Sequence, residues 1–184
     1  MTAFEGGWSV LKMPVVPHSL QEVEPSGERG TRRNWRASFD DPKTGERLPV
    51  YLSAAAHIID GLEPPFLAIE GGIGDSRLDK YGALTMPATM DAFQDMDAPN
   101  EWEVAFAHTD DELRRRGMAT ALYDLVASII ENEYGGSLYG AGSLSGSEAS
   151  QSRYARALWE SNHQGGHDSW SPSRSLWRDR RDVE

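Results

Sequence analysis

The chain has no cysteine, which excludes disulfides, thiolate catalysis and a Cys-ligated metal together. Long apolar runs are also missing: nothing approaches the roughly 18 residues needed to span a bilayer, so no membrane partner is expected. The opening MTAFEGGWSVLKMPVVP lacks a basic stretch followed by a long apolar one, so secretion is not expected and a cytoplasmic location is. Positive charge is scarce, with 18 Lys and Arg against 29 Asp and Glu, a formal net charge of −11. Such a surface repels nucleic-acid phosphates unless its basic residues cluster. They do so only at Arg32-Arg33, at Arg114-Arg115-Arg116 and in Arg178-Asp179-Arg180-Arg181, the last diluted by its own acid. A nucleic-acid partner is therefore not expected. An acidic surround suits a cationic, amine-bearing partner, and serves solubility equally well.

What is present describes one folded unit. At 184 residues, with 39% apolar and 26% charged residues, the chain is large enough for a single sizeable core, and residues 1–184 are read as one domain. Residues 1–30 are polar and punctuated by Pro and Gly, and residues 166–184 are polar apart from Trp170 and Trp177; both are expected to be peripheral. Trp35, Ala37 and Phe39 alternate, DDPKTGER supplies a turn, and Leu48, Val50 and Leu52 alternate again, which predicts a hairpin. Ala54–Ile59 continues that strand or begins a short helix, and periodicity does not separate the two. Phe66–Ile69, between Pro64-Pro65 and Gly71-Gly72, reads as a strand with Tyr81–Met86 as its neighbour; residues 88–100, rich in Met, Asp and Pro, read as a loop. Val104 and Phe106 alternate with Glu103 and Ala105 in a further strand spanning residues 101–108.

The next segment carries the chemistry. Arg114-Arg115-Arg116-Gly117-Met118-Ala119 leads into a helix whose Met118, Leu122, Leu125, Val126 and Ile129 share one face, and Gly135-Gly136 ends it. A short strand at Ser137–Gly142 and a second helix from Ser145 to Asn162 complete the pattern; Ser145 and Glu148 have capping-box spacing. A helix N-terminus with a glycine lead-in and a positive surround is an anion site, because free N–H groups and the helix dipole point at the same place. No Gly-Lys-Ser/Thr follows, so it is not a P-loop, and it is not a G-x-G-x-x-G turn.

Arg114-x-x-Gly117-x-Ala119, between a strand and a helix, resembles the Gln/Arg-x-x-Gly-x-Gly/Ala motif of the GNAT N-acetyltransferase superfamily. The resemblance is specific over about residues 100–162 and only topological before them. It implies an α/β (α+β) fold with a mixed, splayed sheet flanked by helices. It also implies acetyl-CoA as co-substrate, with Arg114, Arg115, Arg116, Gly117, Met118, Ala119 and Thr120 around its pyrophosphate. Phe106, Ala107, His108 and Thr109 would pair with the pantetheine as an added strand does. Glu103, eleven residues before Arg114, matches the place where some histone-acetylating members carry a glutamate as general base. An ammonium cannot attack a thioester, so something must take its proton. His108 is a second candidate base, with a packed strand residue as its plainer role.

In the last helix the superfamily shows Asn-x-x-Ala-x-x-x-Tyr, and the aligned residues here are Ser152, Ala155 and Trp159. Serine still offers the cofactor arm a hydrogen bond, but tryptophan has no phenolic proton for the leaving thiolate. Tyr154, Tyr139 or water would substitute, or the thiolate would leave unaided. The implied activity is N-acetyl transfer from acetyl-CoA to a primary amine, of a small molecule or a protein, by direct transfer in a ternary complex, since no acyl-cysteine can form. The alternative is a catalytically degenerate relative that binds CoA or a protein partner. No metal is expected: His163 and His167 are four apart, but Gly165-Gly166 lies between them. Ser143, Ser145 and Ser147 lack a nucleophile elbow. The six tryptophans suit core or interface packing, a homodimer interface included.

Overall fold

Alternation of large apolar and polar residues builds most of the molecule. The computed structural model describes residues 20–26, 32–57, 66–141, 158–159 and 169–170. The strands are β1 (Gln21–Ser26), β2 (Arg32–Asp40), β3 (Arg47–His57), β4 (Phe66–Ile73), β5 (Arg77–Leu78), β6 (Leu84–Thr85), β7 (Ala88–Gln94), β8 (Glu101–Thr109) and β9 (Ser137–Tyr139), with helix α1 (Met118–Tyr134) between β8 and β9. Seven strands form one sheet in the order β1-β2-β3-β4-β7-β8-β9, and β5 and β6 form a separate small hairpin. Every neighbouring pair in the large sheet is antiparallel except β8 and β9. The fold is thus α+β, a large, mostly antiparallel sheet with one helix among the described residues.

Directly paired residues share a face of a sheet. Val50, Leu52, Ala54, Ile69, Ile73, Ala88, Met90, Ala92, Trp102 and Val104 face one way and are buried with Met118, Leu122, Leu125, Val126 and Ile129 of α1. The helix starts at Gly117 (φ +82°) and stops at Gly135 (φ +64°), left-handed conformations that glycine adopts without a Cβ clash. No basic side chain sits in its last turn. Arg33 of β2 supplies one from outside, donating to Glu133 at 2.7 Å and to Glu22 of β1 at 2.8 Å. These hydrogen bonds, more than the Coulomb attraction of Glu22, hold the guanidinium proton more tightly than usual.

The hairpin at β2–β3 follows the expected register, with Trp35 opposite Leu52, Ala37 opposite Val50 and Phe39 opposite Leu48. The α1 and β9 expectations hold as well, and residues 54–57 continue β3 as strand. Three expectations are corrected. Residues 88–94 are a strand, not a loop, because Ala88, Met90 and Ala92 form a fully buried alternation. The antiparallel neighbour of β4 is therefore β7, while Tyr81–Met86 contributes only β6 to the small hairpin. Residues 21–26 add an edge strand in a region read as irregular. The expected second helix lies outside the described residues, apart from a helical turn at Leu158 and Trp159.

Ile129 is fully buried between α1 and the sheet. Ile129→Ala is expected to cost about 2–5 kcal/mol, read as a lower urea midpoint with an unchanged slope. A midpoint shift below about 1 kcal/mol would show that this helix face does not carry the core.

Candidate functional site

Two departures from regularity in β8 create the site. The first is a bulge. Asp91 of β7 pairs with Phe106 and Ala92 pairs with Val104, so Ala105 is an extra residue without a cross-strand partner. Before it, Trp102 and Val104 face the core; after it, Phe106 and His108 face the opposite side, with Asp91 and Thr89. The simple alternation that put Val104 and Phe106 on one face is thereby corrected. Phe106 is 53% exposed.

The second departure is loss of a neighbour. β9 pairs with β8 only through Glu101↔Ser137, Trp102↔Leu138 and Glu103↔Tyr139. Beyond Glu103 no described strand pairs with the outer edge of β8. Residues Ala105 to His108 are all exposed there. Backbone N–H and C=O groups on such an edge want partners.

The end of β8 runs directly into the turn that precedes α1. Asp110 begins it, its N–H bonded to the Pro87 carbonyl at 3.0 Å, and a single 3-10 turn occupies Asp111–Leu113. Arg115 sits at φ +63°, a left-handed position unusual for a side chain with a Cβ, and Gly117 follows at φ +82°. No side chain caps α1, and no acidic residue occupies its first turn. The first helix-closing bond runs from the Ala121 N–H to the Gly117 carbonyl at 2.9 Å, which leaves the N–H groups of Met118, Ala119 and Thr120 at the open end of the helix. Met118 is buried and anchors this end, while Ala119 and Thr120 are half-buried.

The three arginines have different duties. Arg114 is exposed and pairs with Asp111 at 2.7 Å. Arg115 is exposed. Arg116 points back into the molecule, donating to Asp41 Oδ2 at 2.6 Å and to the Glu112 carbonyl at 3.2 Å. It therefore ties the turn to the β2–β3 corner, and Asp41 is only 3% exposed. Burial alone would raise the Asp41 carboxyl; the Lys43 N–H, Arg116 and Thr44 together outweigh it and hold the group below its ordinary range.

On the face of the sheet away from α1 lies an open cleft of about 600 Å³ between the β5–β6 hairpin and β7–β8. Leu78, Leu84, Met86 and Phe106 supply apolar walls, and Asp79, Asp91 and Asp110 supply carboxylates. Arg77 pairs with Asp110, and His108 Nε2 lies 3.5 Å from the same carboxylate. Asp79 Oδ1 accepts from the N–H groups of Tyr81 and Ala83, which shapes the hairpin turn. Asp91 is half-buried, with Glu70 directly across the strand pair. Burial first, then the Glu70 charge, pushes its carboxyl above the ordinary range. Glu70 itself lies 3.4 Å from His57 Nε2, close enough for an ion pair but outside hydrogen-bond geometry.

The fold thus brings Glu103, Phe106, Ala107, His108 and Thr109 onto one strand, immediately before Arg114–Thr120. Glu103 is half-buried at the last rung shared with β9 and does not line the cleft; His108 does. Trp159 is 6% exposed and packs edge-on to Tyr123 and to Trp170, at ring separations of 5.4 and 5.2 Å. Ser152, Tyr154, His163 and His167 lie outside the described residues. Among the described residues no group of His, Asp or Glu is placed to hold a metal, and no helix is long and apolar enough to cross a membrane. Asp91 and its cleft were missed from sequence because residues 88–100 read as loop. The signal was there in the strict alternation Ala88, Met90, Ala92, which turns Asp91 to the other face.

In comparisons with known proteins, no family model, no curated protein and no solved structure matches the chain.

With its folded-state value held low, Asp41 contributes stability above pH ~4, lost as pH falls through that value. Asp41→Asn is expected to lower stability near neutral pH by about 1–3 kcal/mol and to flatten the acid limb of a denaturant-midpoint profile. An unchanged acid limb would show that the Asp41–Arg116 pair contributes nothing.

Proposed function

We propose that the protein is an acetyl-CoA-dependent N-acetyltransferase acting on a primary amine by direct transfer within a ternary complex. The observation that carries this reading is an outer edge of β8 that pairs with no strand among the described residues beyond Glu103 and runs into a helix N-terminus with no side-chain cap. An extended amide-bearing chain ending in a pyrophosphate has the chemistry to match both. Its amides suit the strand edge at Phe106–Thr109, and its phosphates suit the N–H groups at the start of α1. The sequence resemblance to the GNAT superfamily over residues 100–162 points the same way.

In this reading the turn binds phosphate mainly through its backbone, because Arg116 is committed to Asp41 and Arg114 to Asp111. Arg115 and the left-handed Gly117 shape the loop. Glu103, at the fork between β8 and β9, takes a proton as the amine nitrogen forms its bond to the thioester carbonyl. The C–S bond then breaks, and the thiolate accepts a proton from solvent; a thiol is acidic enough to leave without a dedicated acid. The burial of Trp159 in an aromatic cluster gives that residue a packing role and no place in proton transfer.

Calorimetry with acetyl-CoA, followed by thiol release over an amine panel, tests the reading. Binding without thiol release would favour the degenerate alternative, and absence of binding would sink both. Gly117→Glu is expected to weaken acetyl-CoA binding at least about tenfold, ~1.4 kcal/mol, through a carboxylate against the phosphates. Gly117→Asn keeps a residue that tolerates a left-handed φ and adds no charge, so it should bind nearly as the wild type does. Equal affinities for the two variants would place the phosphates elsewhere. Glu103→Gln should slow turnover about 100-fold while leaving acetyl-CoA affinity unchanged; an unaltered rate would remove Glu103 as the base.

A further inference from the structure

The cleft between the β5–β6 hairpin and β7–β8 has a lining that selects among ligands. Its three carboxylates are not equivalent. Asp110 is engaged by Arg77 and approached by His108, and Asp79 is used by two backbone N–H groups of its own turn. Asp91 is different. Among the described residues no donor or cation meets its carboxylate, and its charged neighbour across the strand pair is another acid, Glu70. Like charges directly opposed on adjacent strands destabilise a sheet, so this arrangement is costly while the cleft is empty. A half-buried carboxylate without a partner is a receptor for a cation.

The rest of the cleft describes what that cation is attached to. Leu78 and Leu84 of the hairpin are largely exposed, as is Phe106 on the sheet. Together with Met86 they make up the apolar part of the lining. Three large apolar side chains left open to solvent around one concave site mark a place for an apolar ligand body. The volume of about 600 Å³ matches a small molecule and not an extended peptide. Phe106 also connects the cleft to the bulge at Ala105, so a ligand on Asp91 lies beside the part of β8 whose outer edge meets no strand among the described residues.

We propose that this cleft is the acceptor site for a small arylalkyl or alkyl amine, whose ammonium docks on Asp91 while its apolar body lies between Phe106 and the β5–β6 hairpin. The assignment rests on the acetyltransferase reading for its role, though not for its binding. Asp91 orients the amine and sets specificity for a cation; proton removal is left to Glu103. Glu70 adds a second negative charge behind Asp91, which favours a cation over a neutral ligand of the same shape.

The test uses the full chain without cofactor, by calorimetry near pH 7.5, with 2-phenylethylamine as the cationic probe and 2-phenylethanol as its uncharged analogue. The wild type should bind the amine at least about tenfold more tightly than the alcohol. Asp91→Asn, which preserves shape, should cut amine affinity about tenfold and leave the alcohol unchanged. Phe106→Ala should weaken both ligands alike, which serves as the check that the site and not the fold is being read. Equal affinities of the wild type for amine and alcohol would overturn the proposal, as would an Asp91→Asn protein that binds the amine normally. Acetyl-CoA binding is measured separately. Its absence in the wild type would count against the acetyltransferase, while the amine and alcohol affinities still decide the cleft.

Discussion

Everything distinctive about this molecule follows from how briefly β9 can pair with β8. A parallel pair needs a crossover, and α1 provides it: the chain leaves the far end of β8, turns, and returns along the sheet through seventeen helical residues, about 25 Å at 1.5 Å per residue. It therefore re-enters beside the beginning of β8 and pairs for only three rungs before Gly140. Among the described residues, the remaining half of β8 has no strand partner along that row of backbone groups. The same connection places the helix N-terminus at the far end of that row. An open edge and a concentration of unsatisfied N–H groups are thus two consequences of one crossover.

The bulge at Ala105 then divides the surroundings of β8 by chemistry. Along its edge, toward α1, the partial charges are positive and favour an anion despite a net charge of −11. On its face, beyond the bulge, Phe106 and His108 turn into a cleft bordered by Asp79, Asp91 and Asp110. Were Ala105 instead paired regularly with Asp91, with no bulge, Phe106 and His108 would fall on the core face, where α1 already packs. The bulge is thus where β8 changes the face its side chains take.

Elements with strong local signals were legible in the sequence. The α1 helix shows continuous 3.6-residue periodicity between two glycines, and the β2–β3 hairpin shows two alternating runs around a turn-rich segment. The turn on which the resemblance rests holds two residues of positive φ, Arg115 and Gly117. What failed was decided by tertiary context. Met, Asp and Pro between residues 88 and 100 suggested a loop, yet two flanking strands supply backbone partners to 88–94, and burial of alternate small residues outweighs the composition. Ala105 carries no bulge signature, so nothing in the sequence told of the change of face at Phe106. Arg116 looked like a phosphate ligand because its partner, Asp41, lies 75 positions away in the chain.

Trp159 illustrates how an apparent defect has a structural cause. Set against the superfamily's pattern it is a tryptophan where a tyrosine is usual, which reads as a lost acid. In the fold it belongs to a buried trio: Tyr123 stacks on Trp170 at 4.8 Å, and Trp159 meets both edge-on. Trp170 in turn donates its backbone N–H to the Leu138 carbonyl and its indole N–H to Asp124 of α1. The bridge between Ser169 and Tyr139 adds to the same contact. These interactions engage β9 on the side away from β8 and draw it toward the helix. Edge-to-face packing of this kind is worth about 0.5–1.5 kcal/mol per pair beyond buried area. Its place in this trio accounts for the tryptophan at position 159 by packing alone.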